Sequence, residues 1–304
     1  MLVGKYGPKK TIRKPRYLHI YTALLSLTEC RFGSEMAWDS TGQEGVYIWS
    51  AYFDDERTTT NTLNSIIAYQ PLIPHWGYNG NARRYWDNIY GGKILRIERQ
   101  IHHYGSGLNA LPLLAAFEAS PDDYHLLRVG FAGVNAPLSS IDEAGFASAA
   151  FHSFIDTLKW DPYSGDYGPN FVGHALGTGT FIINHPDFGW QAFGGNVVDK
   201  SDGIVKVQVV DAVRRRIFIA SIGALLTLDA GVFDTVSFDI STNAVTVTIA
   251  PATGAGADAP NGRLVIEQTD GKVLLKPEDG LEEEAGAYTI PFNADATARI
   301  SLVS

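Results

Sequence analysis

The sequence predicts an α+β protein, with a helical part over residues 1–198 and an antiparallel β-sandwich over residues 199–304. Apolar residues recur every three or four positions through the first part, as they do along one face of a helix. From about Asp199 the period changes to two, the spacing of a half-buried strand. Turn residues then punctuate the chain at short intervals, the pattern of an antiparallel sandwich.

Residues 17–31 carry Leu18, Tyr21, Leu24, Leu25 and Leu27 at helical spacing, and Cys30 reads as a small core residue in the same segment. Residues 45–69 continue helical through Val46, Ile48, Trp49, Tyr52 and Phe53, until Pro71 and Pro74 end them. A short helix over 81–90 is closed by Gly91 and Gly92. Helices over 108–119 and 122–132 follow. Ser140 and Glu143 form a capping box for a last helix over 142–158. The predicted strands cover 204–209, 216–220, 232–239, 244–249 and 263–268. The turns between them are Asp202-Gly203, Asp229-Ala230-Gly231, Thr242-Asn243, Asn261-Gly262 and Asp270-Gly271. Residues 250–260, rich in Ala, Gly and Pro, read as an exposed loop.

With 304 residues, 45% hydrophobic and 19% charged, the chain can bury a core in each half. A net charge of -9 lacks the basic footprint of nucleic-acid binding, so no nucleic-acid partner is expected. The basic residues between Lys5 and Arg16 read as a solvated arm. No apolar run approaches the roughly 20 residues of a membrane span, so no membrane partner is expected either. Cys30 is the only cysteine, which excludes an intrachain disulfide and a cysteine-based zinc site. Neighbouring His102 and His103 diverge on regular backbone and make a poor metal pair; neither a metal nor a cofactor is expected. The sequence holds no phosphate-binding P-loop, nucleophile elbow, zinc-binding His-Glu-x-x-His helix or EF-hand loop.

Four loops concentrate groups capable of chemistry. The first, residues 32–44, holds Glu35, Asp39 and Glu44 around Trp38. Two positioned carboxyl groups suffice to cleave a glycoside: one protonates the leaving oxygen, the other activates water or attacks the sugar. An aromatic neighbour offers a flat face to a sugar ring and raises a carboxyl pKa by excluding water. Each acid also has a plainer reading. Thr41-x-x-Glu44 is a capping box, and Asp39 can cap the same helix start.

The second loop runs His75, Trp76, Gly77, Tyr78, Asn79, Gly80, Asn81 and leads to Arg83, Arg84 and Trp86. Aromatic faces stack on pyranose rings, while Asn and Arg bind hydroxyls or carboxylates. The third, residues 98–107, contains Glu98, His102, His103 and Tyr104. A His–Tyr pair serves as base and acid in β-elimination from a uronate, with Asn81 and Arg84 neutralising the sugar carboxylate. In a hydrolase the same pair would bind hydroxyls, and Glu98 would be a further acid. The fourth, residues 159–181, carries Trp160, Asp161, Tyr163, Asp166, Tyr167, Asn170 and His174 among five glycines, and reads as a cleft wall or lid.

The runs at residues 24–29, 39–44 and 75–81, together with 98–109, resemble a family of uncharacterised proteins grouped with the six-hairpin glycosidases. The resemblance covers roughly residues 17–200. It implies a sugar-cleaving (α/α)6 toroid followed by the sandwich. About six helices are predicted here, half of what a closed double ring needs. The helical part is thus expected to be either an incomplete toroid, completed by a partner chain or a missing N-terminal half, or a small helical domain complete in itself.

The expected function is a glycoside hydrolase acting on a polysaccharide or oligosaccharide. Its catalytic candidates are Asp39 and Glu35, with Glu44 and Glu98 in reserve. Trp38, His75, Trp76, Tyr78, Asn79, Asn81, Arg84, Trp86 and His102 are the substrate-binding candidates. Carboxyls about 5 Å apart would imply retention, and about 6.5–9.5 Å inversion. The alternatives are a polysaccharide lyase using His103 and Tyr104, and a carbohydrate-binding protein without turnover. The substrate class implies an extracellular setting as part of a longer protein, although these residues contain no signal peptide.

Overall fold

A computed structural model of the 304-residue chain describes residues 40–68, 103–135, 138, 143–144, 172–252, 261–269, 275–278, 280–291 and 298–303. They contain five helices: α1 (Ser40–Tyr52), α2 (Glu56–Ala68), α3 (His103–Ala119), α4 (Tyr124–Asn135) and α5 (Val172–Gly177). Thirteen strands begin with β1 (Thr180–His185), β2 (Gly189–Phe193), β3 (Gly195–Asp199), β4 (Ile204–Val209), β5 (Arg216–Ile219), β6 (Ala224–Leu228) and β7 (Val232–Asp239). They continue with β8 (Val245–Ala250), β9 (Asn261–Gln268), β10 (Lys276–Pro277), β11 (Glu283–Glu284), β12 (Ala287–Pro291) and β13 (Ala298–Val303). No described helix is long and apolar enough to cross a membrane.

The chain forms two compact units. The first takes residues 1–113 and 132–173, the second residues 114–131 and 174–304. In the first unit α1 and α2 are antiparallel neighbours. The Thr59 hydroxyl donates to Ser50 Oγ (2.8 Å), and Gln43 Nε2 donates to Ser65 Oγ (3.0 Å). The partners move in opposite directions along the sequence, as antiparallel helices require. Asp55 starts α2: its carboxylate accepts the Thr58 backbone N–H (3.1 Å) and the Thr58 hydroxyl (2.8 Å), satisfying a donor that the first turn leaves orphaned. Val46, Tyr47, Ile66, Leu108, Ala110 and Leu113 are buried in this unit.

The second unit is built on two sheets. One has seven strands in the order β11-β12-β9-β6-β5-β1-β2, the other six in the order β10-β13-β8-β7-β4-β3. Alternation of buried and solvent-facing positions explains the central strands: Val205, Val207 and Val209 of β4, Val236 and Phe238 of β7, and Val245, Val247 and Ile249 of β8 all point inward. They join Ile182, Ile217, Ile219, Leu226 and Leu264 of the other sheet in one hydrophobic core. Each such side chain contributes about 1.5–3 kcal/mol on burial. The outer face of the seven-stranded sheet is covered by residues 114–131: Phe117 meets Phe218 (ring centroids 5.8 Å) and Phe181 (6.5 Å), and Phe131 meets Phe181 (6.4 Å).

The expected architecture needs correction. No toroid is present among the described residues; there five helices accompany thirteen strands, and two sheets dominate. Strands begin at Thr180, so β1, β2 and β3 occupy a stretch expected to be helical and loop-like. The reason is local: residues 180–183 are all buried, and Phe181, Ile182 and Ile183 form a short apolar run that periodicity cannot assign to either class. Nor is the β part wholly antiparallel, because β1 pairs with β5 in parallel. The continuous helix expected over 45–69 breaks at residues 53–55, where Asp54 adopts φ 59° before the Asp55 cap. Glu143 and Ala144 form a turn. Asn261-Gly262, expected to be a turn, lies inside β9, paired with Pro291 and Ile290. The helices expected over 17–31 and 81–90 lie outside the described residues.

Candidate functional site

The site is best built from α1, whose helical run begins at Ser40 and so takes Thr41 inside it rather than leaving it as the cap. Gln43 is 5% exposed and Asn109 of α3 is 0% exposed, so both amides are removed from water. Asn109 Nδ2 donates to Gln43 Oε1 (3.0 Å), and Gln43 Nε2 passes the chain on to Ser65 Oγ of α2 (3.0 Å). A hydrogen-bonded relay thus crosses three helices inside the first unit. Asn109 Oδ1 has no hydrogen-bond partner, an unmet acceptor in an interior where such groups are nearly always satisfied.

Glu44 follows Gln43 on α1. It is half-buried, and loss of hydration pushes its carboxyl pKa above the ordinary glutamate range. A raised carboxyl pKa suits a proton donor, because the neutral form persists toward neutral pH. His103 and Tyr104 are the first two residues of α3, the helix that carries Asn109. The Gln43–Asn109 bond therefore joins two helices that carry catalytic candidates, one Glu44 and the other His103 and Tyr104. The other catalytic candidates, Asp39, Glu35 and Glu98, lie outside the described residues. So do the substrate-binding candidates Trp38, His75, Trp76, Tyr78, Asn79, Asn81, Arg84, Trp86 and His102.

The second unit holds buried polar groups of another kind. His174 of α5 is 5% exposed, and its carbonyl accepts the Thr178 N–H (2.8 Å). Asp211 bonds the backbone N–H groups of Val213 (3.0 Å) and Arg214 (2.7 Å) and accepts from the Thr180 hydroxyl (3.2 Å). These bonds lock a turn; nothing in them turns toward a ligand. Among the described residues no group of three His, Cys, Asp or Glu side chains comes together in a way that would hold a metal ion.

Sequence reasoning passed over Gln43, Ser65 and Asn109. One signal was present: Asn109 interrupts the apolar run of residues 108–111, and a polar residue on a buried helix stripe must find a partner. The identity of that partner, 66 positions away, has no local signature.

No curated protein and no solved structure matches the chain. A family model does match, over residues 22–300, and so spans the helical and the sheet parts together. The chain belongs to the DUF5695 family, a family of unknown function.

Proposed function

We propose that the chain is a glycoside hydrolase of a polysaccharide or oligosaccharide, with Glu44 as its general acid. The observation that carries this reading is the half-buried carboxyl of Glu44, whose pKa burial raises, next in sequence to a side chain hydrogen-bonded to α3. Glu44 protonates the glycosidic oxygen as the bond to the anomeric carbon breaks. Asp39, one residue ahead of α1, takes the proton of the attacking water or itself attacks the sugar, with Glu35 as the other candidate for that role. The aromatic residues of the first two loops, Trp38, Trp76, Tyr78 and Trp86, supply faces for the sugar rings. The sequence resemblance to a family grouped with the six-hairpin glycosidases supports the substrate class.

The test is a reducing-end assay of the whole chain on a panel of neutral and uronate polysaccharides, with Glu44→Gln and Asp39→Asn in parallel. Release of reducing ends that falls at least a hundredfold in Glu44→Gln is expected, within the range a general acid contributes. Products that absorb as unsaturated uronates, undiminished in Glu44→Gln and lost in Tyr104→Phe, would instead assign an elimination to His103 and Tyr104. A folded chain that binds a polymer but releases nothing would leave only the binding role.

A further inference from the structure

The hairpin between β1 and β2 carries a residue that its turn does not need. His185 pairs with Gly189, so Pro186, Asp187 and Phe188 make the connection. Hairpin tips favour small polar residues, because they face water and must bend tightly. Phe188 nevertheless stands there 71% exposed, more than any other large apolar side chain among the described residues.

Its ring is held in place. Phe188 lies over His185 with centroids 4.8 Å apart and planes inclined by 34°. His185 lies over Tyr124 at 4.9 Å and 38°, and Tyr124 contacts the fully buried Phe117 at 6.4 Å. Four rings thus run from the core to the surface within one unit. Hydrogen bonds fix the support. The Asp187 N–H donates to His185 Nδ1 (3.1 Å), Gln191 Nε2 to the Phe188 carbonyl (3.0 Å), and the Tyr124 hydroxyl to the Asn184 carbonyl (3.2 Å). Gly189, at φ 65°, lets the chain leave the turn in a conformation other residues rarely adopt.

We propose that Phe188 is a stacking platform for a neutral pyranose unit of a polysaccharide, a second sugar site on the sheet unit. The class of ligand rests on the hydrolase reading above; the site itself rests on the ring ladder. An aromatic face in water attracts the C–H face of a sugar ring, and a ring already immobilised loses little entropy on binding. The polar neighbours fit hydroxyl groups. With Nδ1 accepting, His185 offers its Nε2–H as a donor, while Gln191 Oε1 and the Asp187 carboxylate are acceptors. The Asp187 charge disfavours a uronate carboxylate at the same place.

The test uses the whole chain carrying Glu44→Gln, so that turnover does not enter, on affinity gels containing xylan, galactomannan, hydroxyethyl cellulose or pectate. Retardation by at least one neutral polymer is expected. Adding Phe188→Ala should weaken it roughly tenfold, and Phe188→Trp should restore it. Being exposed, the position tolerates either change without loss of fold. Retardation unchanged by Phe188→Ala, retardation by pectate alone, or none in any gel overturns the proposal. Retardation that depends on Phe188 in a chain whose wild type releases no reducing ends separates a failed hydrolase reading from a failed binding site.

Discussion

Arg216 of β5 donates from Nη2 to Glu118 Oε1 of α3 at 2.9 Å, and the same guanidinium donates from Nη1 to the Leu176 carbonyl at 2.7 Å. Their side chains are only 17% and 10% exposed. The pair ties the end of α3 to the seven-stranded sheet, and the Thr269 hydroxyl adds a bond to the Glu118 carbonyl (2.9 Å). Losing one member of a buried pair costs more than the pair itself is worth, since the remaining charge keeps its desolvation. Arg216→Met is expected to destabilise the second unit by about 3 kcal/mol in urea unfolding. The double variant with Glu118→Gln should lose less than the two single losses added together. A loss below about 1 kcal/mol from Arg216→Met would mean that water reaches the pair.

The Gln43–Asn109 bond should behave as a coupled unit. Asn109→Ala removes the donor to Gln43 Oε1 and leaves a buried acceptor bare, so about 2 kcal/mol should be lost. In a double-mutant cycle with Gln43→Leu the two effects should be clearly non-additive. Additive losses would show that the two amides act separately.

Glu44 gives a pH dependence with a definite sign. Burial raises its folded pKa above the unfolded value, so between the two the folded chain binds more protons. Stability must therefore fall as pH rises through that interval. Glu44→Gln, which cannot ionise, should lack this fall and gain stability relative to the wild type at pH 7 compared with pH 4. If hydrolysis uses the protonated acid, kcat should also decline above the raised pKa. Parallel unfolding midpoints for both chains at the two pH values would contradict the burial of this carboxyl.

Gly194, between β2 and β3, has φ 73°, and a Cβ there would collide with the Gly179 carbonyl oxygen and crowd Asp211. Gly194→Ala combines backbone strain with a steric clash against a main-chain atom. A loss of about 2 kcal/mol or more is expected in thermal or urea unfolding. Gly203→Ala is the control: its φ is 76°, but nothing lies within 4 Å of the added carbon, so only the backbone strain remains.

How much of this was legible depended on whether a residue's surroundings are local. The strands β4 and β8, the later part of β7 and the start of β9 could be read directly because they alternate between core and solvent, and the turns at Asp202-Gly203 and Asn243 announced their positive φ values. β1 could not, because it is buried on both faces and so has no alternation to read. Glu44 could be singled out as an acid from its neighbours in sequence. Its desolvation could not, since burial is a property of the folded chain and not of the residue type.

The sequence by itself determined the period of many of its segments, the place of several tight turns, the exclusion of an intrachain disulfide by its single cysteine and the choice of carboxyl and aromatic candidates. Only the tertiary structure decided that two sheets share one core, that β1 runs parallel to β5, that Gln43 bonds Asn109, and that Phe188 is braced from within by Tyr124 and His185. The physical reason is separation along the chain. Periodicity and turn propensity act over a few residues, whereas the Gln43–Asn109 bond spans 66 positions and the Glu118–Arg216 bond spans 98. Such pairings follow from which surfaces must be buried together, and that is a property of the whole fold.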